Sequence, residues 1–374
     1  MENSTIKDSQ AKVWELDPAT IERFLDDMAK EIITRFTSQE LQDFTNNYTI
    51  RLGSGGFGVV YQGQFPSGIK IAVKVLNGNP NSKKVEDQFM AEVGTIGKTY
   101  HKNLVRLYGY CFDQQTSALV YEYMENSSLD KFLFSNETPQ IEWEKLQEIA
   151  IGTAKALAYL HEECQQRIIH YDIKPGNILL DKNSSPKVAD FGLAKLCNRD
   201  NTHVSLSGYR GTPGYSAPEF LMHNYPITHK CDVYSFGMLL FEIARRQRNT
   251  NANLGDSVDW FPKKAWEEYE KGGLKDLITA EINQLKEEDK EKVERMVIVA
   301  LWCVQDSPNS RPMMSTVVKM LEGEVEILSP PNPFRYLYGL GTGHVAGGKT
   351  VSSSYMTTIR TNSSRYENTT PLMR

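Results

Sequence analysis

The chain has 374 residues, 40% of them hydrophobic and 24% charged: enough apolar material for one large or two smaller globular units, and too much for a disordered or fibrous protein. A formal net charge of -5 lacks the Lys and Arg excess of a phosphate-backbone binder, so nucleic acid is not an expected partner. The five cysteines, Cys111, Cys164, Cys197, Cys231 and Cys303, stand singly without C-x-x-C spacing, which predicts reduced, mostly buried thiols rather than bridges or metal ligands.

Residues 1–36 are mixed and charged, and "MENSTIKDSQ" carries no signal-peptide core and no Gly at position 2 for myristoylation. Within them "PATIERFLDDMAKEII" spaces Ile21, Phe24, Leu25, Met28 and Ile32 as one helix face, expected to pack on the main domain. From Phe36 to Phe112 strand patterns dominate, in "RLGSGGFGVVYQGQF", "IKIAVKVL" and "NLVRLYGYCF", followed by "SALVYEYM", with one helical stretch, "VEDQFMAEVGTIGKT". After Ser127 the period becomes helical: in "WEKLQEIAIGTAKALAYLHEE", Leu146, Ile149, Ala150, Ala154, Leu157 and Leu160 share a face, and similar patterns recur at 232–246 and 291–304. "YSFGMLLFEIA" is too short for the roughly 18 to 20 residues of a membrane span, so no span is expected in this chain and a cytoplasmic setting is. The expected organisation is an N-terminal segment 1–36, a two-lobed domain 37–327 divided into 37–125 and 126–327, and a Ser/Thr-rich disordered tail from 328 to 374. A cleft between a small β-rich lobe with one helix and a larger α-helical lobe is the natural place for a site.

Gly53-x-Gly55-x-x-Gly58, in "LGSGGFGVV", suits backbone approach to phosphates, yet three glycines can also serve a tight turn. Val59, Val60 and Tyr61 follow as a continuing strand, which argues against a dinucleotide-binding helix, and no Gly-Lys-Ser/Thr ends the run as in a P-loop. In "IKIAVKVL", alternation sets Ile69, Ile71, Val73 and Val75 against Ala72 and Lys74. Glu92 borders the apolar face of Phe89, Val93 and Ile96; it is either an orienting partner for Lys74 or an ordinary exposed glutamate.

With "HYDIKPGN", "DFG" and "APE" downstream, the chain resembles the eukaryotic protein kinases over about residues 45 to 325, every motif standing in family order. The resemblance implies the bilobal α+β kinase fold and phosphoryl transfer from ATP to protein hydroxyls. Leu52, Gly53, Ser54, Gly55, Gly56, Phe57 and Gly58 would cover the nucleotide, with Val60 and Ala72 beside the adenine, Tyr121 as gatekeeper, and the backbone of Glu122 and Met124 holding the base. Lys74, paired with Glu92, would grip the phosphates; Asp190 and Asn177 would hold Mg²⁺, with Mn²⁺ as a substitute; Asp172 would accept the substrate proton. Lys174 and Thr212 resemble the serine/threonine-specific form of the family. Asp232 would either cap its helix or tie down the catalytic loop, and Glu219 and Arg311 would form a buried pair.

Tyr171 stands where most of the family has an arginine that binds an activating phosphate, which resembles the non-RD subgroup; a space-filling tyrosine without regulatory meaning is the other reading. Lys195 and Arg210 could receive a phosphate placed on Thr202, Ser205, Ser207 or Tyr209. Phrases such as "LGSGGFGVVYQG", "HKNLVRLYGYC" and "RGTPGYSAPE" look like plant receptor-like kinases of the leaf-rust-resistance and S-locus lectin types. The resemblance implies defence or stress signalling at the inner face of the plasma membrane, with a receptor or co-receptor kinase as partner. The chain reads either as a receptor-like cytoplasmic kinase or as a truncated receptor. A pseudokinase scaffold is the alternative function, which the presence of Lys74, Glu92, Asp172, Asn177 and Asp190 argues against.

Overall fold

The computed structural model describes residues 33–80, 82–135, 140–198, 211–221, 226–249, 260–281 and 285–335. All but the last residue, Ile33, of the helix expected over 18–33 and the acceptors Thr202, Ser205, Ser207 and Tyr209, with Arg210, lie outside them.

The N-terminal lobe is a six-stranded sheet: β1 (Thr34–Arg35), β2 (Arg51–Gly55), β3 (Gly58–Gln64), β4 (Lys70–Leu76), β5 (Leu107–Phe112) and β6 (Ser117–Glu122), in the order β1-β5-β6-β4-β3-β2. All neighbours are antiparallel except β1 and β5. Register puts Val60 opposite Lys74, Lys74 opposite Leu119 and Ala72 opposite Tyr121. Residues directly opposite share a face, as do residues two apart, so Val60, Ala72, Lys74, Leu119 and Tyr121 all point to one side. The other side carries Ile71, Val73, Ala118 and Val120, all buried. Ile69 does not continue that face: it is exposed, in the turn before β4 begins at Lys70.

Two helices flank the sheet, one more than the strand-dominated pattern suggests. The first, α1 (Ser38–Phe44), seals the outer cluster with Leu41 and Phe44. It is started by a reciprocal capping box between Thr37 and Glu40, which satisfies two backbone donors that a short helix would leave bare. The second, α2 (Lys83–Ile96), is capped by Ser82 and buries Val85, Phe89, Val93 and Ile96 against the inner face. The predicted apolar side of this helix is therefore the side that packs, and Glu92 is buried with it.

Tyr123 to Ser128 lead into the helical lobe, whose described helices are α3 (Leu129–Phe134), α4 (Trp143–Ala158), α5 (Lys230–Arg245), α6 (Phe261–Glu270), α7 (Leu274–Glu281), α8 (Glu287–Cys303) and α9 (Met314–Glu322). The six residues assigned to one face of α4 and its continuation are all buried. Helix α5 is buried from Cys231 to Arg245 and packs against α4, α6 and α8, with its buried polar groups Asp232 and Glu242 held by hydrogen bonds. Two short ribbons, β7 (Arg167–Ile169) with β10 (Lys195–Cys197) and β8 (Ile178–Leu180) with β9 (Pro186–Val188), carry the loops that form the cleft floor.

Both expected boundaries fall inside packed structure. Thr34 and Arg35 join the sheet and Ile33 is in the core, so the end of the 1–36 segment belongs to the small lobe. The described part of the tail is docked: Trp302 Nε1 donates to the Leu328 carbonyl at 2.8 Å, Gln305 Nε2 donates to that of Pro331 at 2.8 Å, and Phe334 is 1% exposed. Residues 328–335 are thus bound to the helical lobe, and the tail beyond lies outside the described residues. Among the described residues no helix is long and apolar enough to cross a membrane. Cys111, Cys197, Cys231 and Cys303 are buried free thiols and Cys164 is half-buried.

Candidate active site

Strand β4 and helix α2 bring together Lys74 and Glu92, with Nζ 2.5 Å from Oε1, and Lys74 also reaches Asp190 Oδ1 at 2.7 Å. Burial alone would lower the Lys74 pKa, but the two carboxylates outweigh it and the ammonium is held above its ordinary value. The carboxylates divide: burial wins at Glu92 and raises it, whereas the Lys74 ammonium overcomes burial at Asp190 and lowers it. Glu92 is no exposed glutamate; it is fully buried, and its second oxygen accepts a hydrogen bond from the Tyr121 hydroxyl. Burial and the Glu92 charge push the Tyr121 phenol well above its usual range, which keeps it a donor.

Below the sheet, the loop after β7 places Asp172, 4% exposed, at the centre of three donors. Lys174 Nζ and Asn177 Nδ2 approach its Oδ2 at 2.8 and 2.9 Å, and Thr212 Oγ1 donates to its Oδ1 at 2.6 Å. Lys174 also donates to Thr212 at 2.7 Å, closing a ring of side chains drawn from two loops. The loop's backbone is fixed from underneath. Asp232, inside the first turn of α5, accepts the His170 and Tyr171 amides at 2.8 Å each and contacts His161 Nε2 at 2.9 Å. It is therefore a loop anchor rather than a helix cap. Tyr171 and Asp190 have left-handed backbones, φ 68° and 66°, a conformation that costs on the order of 1–3 kcal/mol and persists only where surroundings enforce it. His170 links the two loops next to these residues: its Nδ1 accepts the Asp172 amide at 3.2 Å while Nε2 donates to the Ala189 carbonyl at 3.0 Å.

Strands β2 and β3 form a hairpin whose turn is Gly56 and Phe57, with Gly53, Ser54 and Gly55 exposed on its rising strand. The chain continues as strand through Val60, as the sequence pattern indicates. A Cβ at Gly58 would lie 2.4 Å from the Val75 carbonyl oxygen, so only glycine lets the hairpin sit this close to β4. Cβ atoms at Gly53, Gly55 or Gly56 would meet nothing within 4 Å, which leaves open backbone along the hairpin. Leu52 lies at the irregularity between Arg51 and Gly53, and Val60, Ala72 and Tyr121 line the sheet face that also bears Lys74. Glu122 ends β6 and Met124 follows in the connection; the Glu122 side chain is engaged with Lys187 at 2.8 Å.

The donor set fits a small, hard cation beside phosphates. Asn177 commits its Nδ2 to the Asp172 backbone and carboxylate, which leaves its side-chain oxygen as the available ligand, and Asp190 supplies a carboxylate. Two oxygens with the remainder from phosphate and water is the arrangement Mg²⁺ prefers.

Glu219 and Arg311 form a two-pronged pair at 2.7 and 2.8 Å with no side-chain exposure at either end. Several contributors carry no sequence signal of their own: His161 under the loop, Tyr215, whose hydroxyl donates to Glu242 at 2.6 Å, and Gln88 and Asn77 around the hairpin.

The protein kinase domain model matches residues 47–321. The chain is 44% identical over 321 residues to the rust resistance kinase Lr10 of Triticum aestivum, covering 84% of this chain and 49% of that protein. It is 44% identical over 300 residues to the G-type lectin S-receptor-like serine/threonine-protein kinase SD2-5 of Arabidopsis thaliana, covering 80% of this chain and 36% of that one. A leaf rust 10 disease-resistance locus receptor-like protein kinase-like 2.4 of Arabidopsis thaliana is 42% identical over 306 residues, covering 80% and 48%. The chain thus spans about half the length, or less, of these curated relatives. With its six-stranded lobe, its helical lobe and the motifs assembled between them, the chain belongs to the protein kinase family.

Proposed function

We propose that the chain is an ATP-dependent serine/threonine protein kinase of the plant receptor-like type, active in resistance or stress signalling. The observation that carries this reading is the ring formed by Asp172, Lys174 and Thr212 beside an intact Lys74–Glu92 pair, since phosphoryl transfer chiefly requires fixed charges in fixed places. Lys74 binds the α- and β-phosphates, and the hairpin from Leu52 to Gly58 covers them. The Glu122 and Met124 backbone holds the adenine against Val60 and Ala72, with Tyr121 closing the rear. Asp190 and Asn177 would hold Mg²⁺, or Mn²⁺ in its place, which when bound neutralises phosphate charge. Asp172 accepts the hydroxyl proton of the protein substrate, and Lys174 steadies the transferred group.

Tyr171 supports the non-RD reading. Its ring is 3% exposed and packs edge-on against Phe220, 6.1 Å away, so apolar packing stands where other kinases use an ion pair. A receptor or co-receptor kinase partner then raises activity above a basal level that the isolated chain shows without an activation-segment phosphate. The working unit is the domain near 37–327, extended at both ends by the packed residues described above, and its setting is the cytoplasmic face of the plasma membrane. Phosphoamino-acid analysis of a mixed protein substrate tests the specificity: phosphoserine and phosphothreonine are expected, and phosphotyrosine alone would contradict it.

A further inference from the structure

The tip of the glycine hairpin is held by two residues outside every motif named above. Asn77, just past β4, donates its side-chain amide to the Gly55 carbonyl at 3.2 Å and its backbone N–H to the Phe57 carbonyl at 3.3 Å. Gln88, on α2 one turn before Glu92, donates Nε2 to that same Phe57 carbonyl at 3.3 Å. Gln88 is 8% exposed, and a Cβ placed on Gly192 would meet its Cγ and Nε2 at 3.3 Å. One amide is therefore packed between the hairpin tip and the loop that carries Asp190. The Phe57 ring lies 5.7 Å from Lys74 Nζ, so the tip sits over the lysine.

These contacts have a consequence for the hairpin's donors. A trans peptide is planar, with its C=O and N–H opposed, so fixing the Gly55 and Phe57 carbonyls also fixes where the Gly56 and Gly58 amides point. A tip containing Gly55, Gly56 and Gly58 is otherwise among the least ordered kinds of backbone, and ordering it costs conformational entropy. Because Gln88 and Glu92 ride on one helix, a shift of α2 that parts Glu92 from Lys74 also releases the Phe57 carbonyl.

The geometry points to Gln88 and Asn77 as positioning residues for the nucleotide: they hold the hairpin tip closed and make its closure dependent on the position of α2. This inference rests on the kinase reading above. It is tested on the full chain by titrating a fluorescent ATP analogue with Mg²⁺, using Gln88→Met, which keeps the length and loses the donor, and Asn77→Ala, an exposed position where folding is not at stake. Each substitution is expected to weaken binding by roughly three- to tenfold, the loss of about one hydrogen bond. KM for ATP should rise by the same factor while kcat changes less, and amide hydrogen exchange should quicken over residues 53–58 and not across the helical lobe. Unchanged affinity and exchange in both variants, with wild type binding normally, would overturn the inference alone. A wild-type chain that bound no nucleotide would overturn the kinase reading with it.

Discussion

The Tyr121 hydroxyl and the Lys74 ammonium hold the two oxygens of the Glu92 carboxylate, one each, in a fully buried setting. Tyr121 thereby contributes to the ion pair that positions Lys74, and the orientation of α2 depends on both partners. Removing the hydroxyl in Tyr121→Phe leaves a buried carboxylate oxygen without a donor, a loss of about 1–3 kcal/mol. The expected outcome is a lower unfolding midpoint together with a higher KM for ATP, read by thermal denaturation and initial-rate kinetics. A variant as stable and as active as wild type would show that Glu92 does not need this donor.

Glu242 is a second buried carboxylate, and here pH is the probe. Burial raises its pKa to about 7, against partial relief from Tyr215 and the Asn249 amide. A raised folded-state value means that its contribution to stability is complete below the ordinary pKa of 4.5 and is lost as pH climbs through about 7. The loss is about 3 kcal/mol. Glu242→Gln imitates the protonated form, with an amide able to donate to Tyr215 and an oxygen to accept from Asn249. Denaturant unfolding should therefore show wild type losing stability relative to the variant between pH 5 and pH 8. A constant difference across that range would place the titration elsewhere.

Phe334 lies beyond the matched kinase domain yet is 1% exposed, its ring 4.8 Å from that of Trp260. Phe334→Ala is expected to cost about 3–5 kcal/mol, the usual range for emptying a filled aromatic site. Truncation after residue 321 should cost at least as much, because the Leu328 and Pro331 contacts leave with it. Equal denaturant midpoints for the full and truncated chains would mean that this segment adds nothing to the helical lobe.

The sequence makes some of this legible and hides the rest for physical reasons. Lys74, Asp172, Asn177 and Asp190 are readable because each sits in a short local motif, whereas Glu92 is marked only by its place beside an apolar helix face; the fold joins Lys74 to Glu92 and Asp190, and Asn177 to Asp172. The Thr37 and Glu40 capping box is equally local, so α1 was available from spacing alone. Contacts such as Tyr121 with Glu92, Asp232 with the His170 and Tyr171 amides, or Gln88 with Phe57 join residues far apart in the chain. No periodicity encodes them; they exist only once the sheet, α2 and α5 are packed. Thr34 and Arg35 form too short a strand to leave an alternation, and "SPPNPF" looks like a structure breaker, yet its final ring finds an apolar site.

The central claim, that Asp172 and its neighbours transfer phosphate without waiting for an activation-segment phosphate, is tested most directly by mass. Phosphatase-treated chain is incubated with ATP and Mg²⁺ beside Asp172→Asn, and intact mass is followed over time. The prediction is a stepwise gain of whole phosphates in the wild type from the first time points, with no gain in the variant, which still binds nucleotide. No gain in either chain, or a gain that begins only after a lag ended by phosphate on the activation segment, would contradict it.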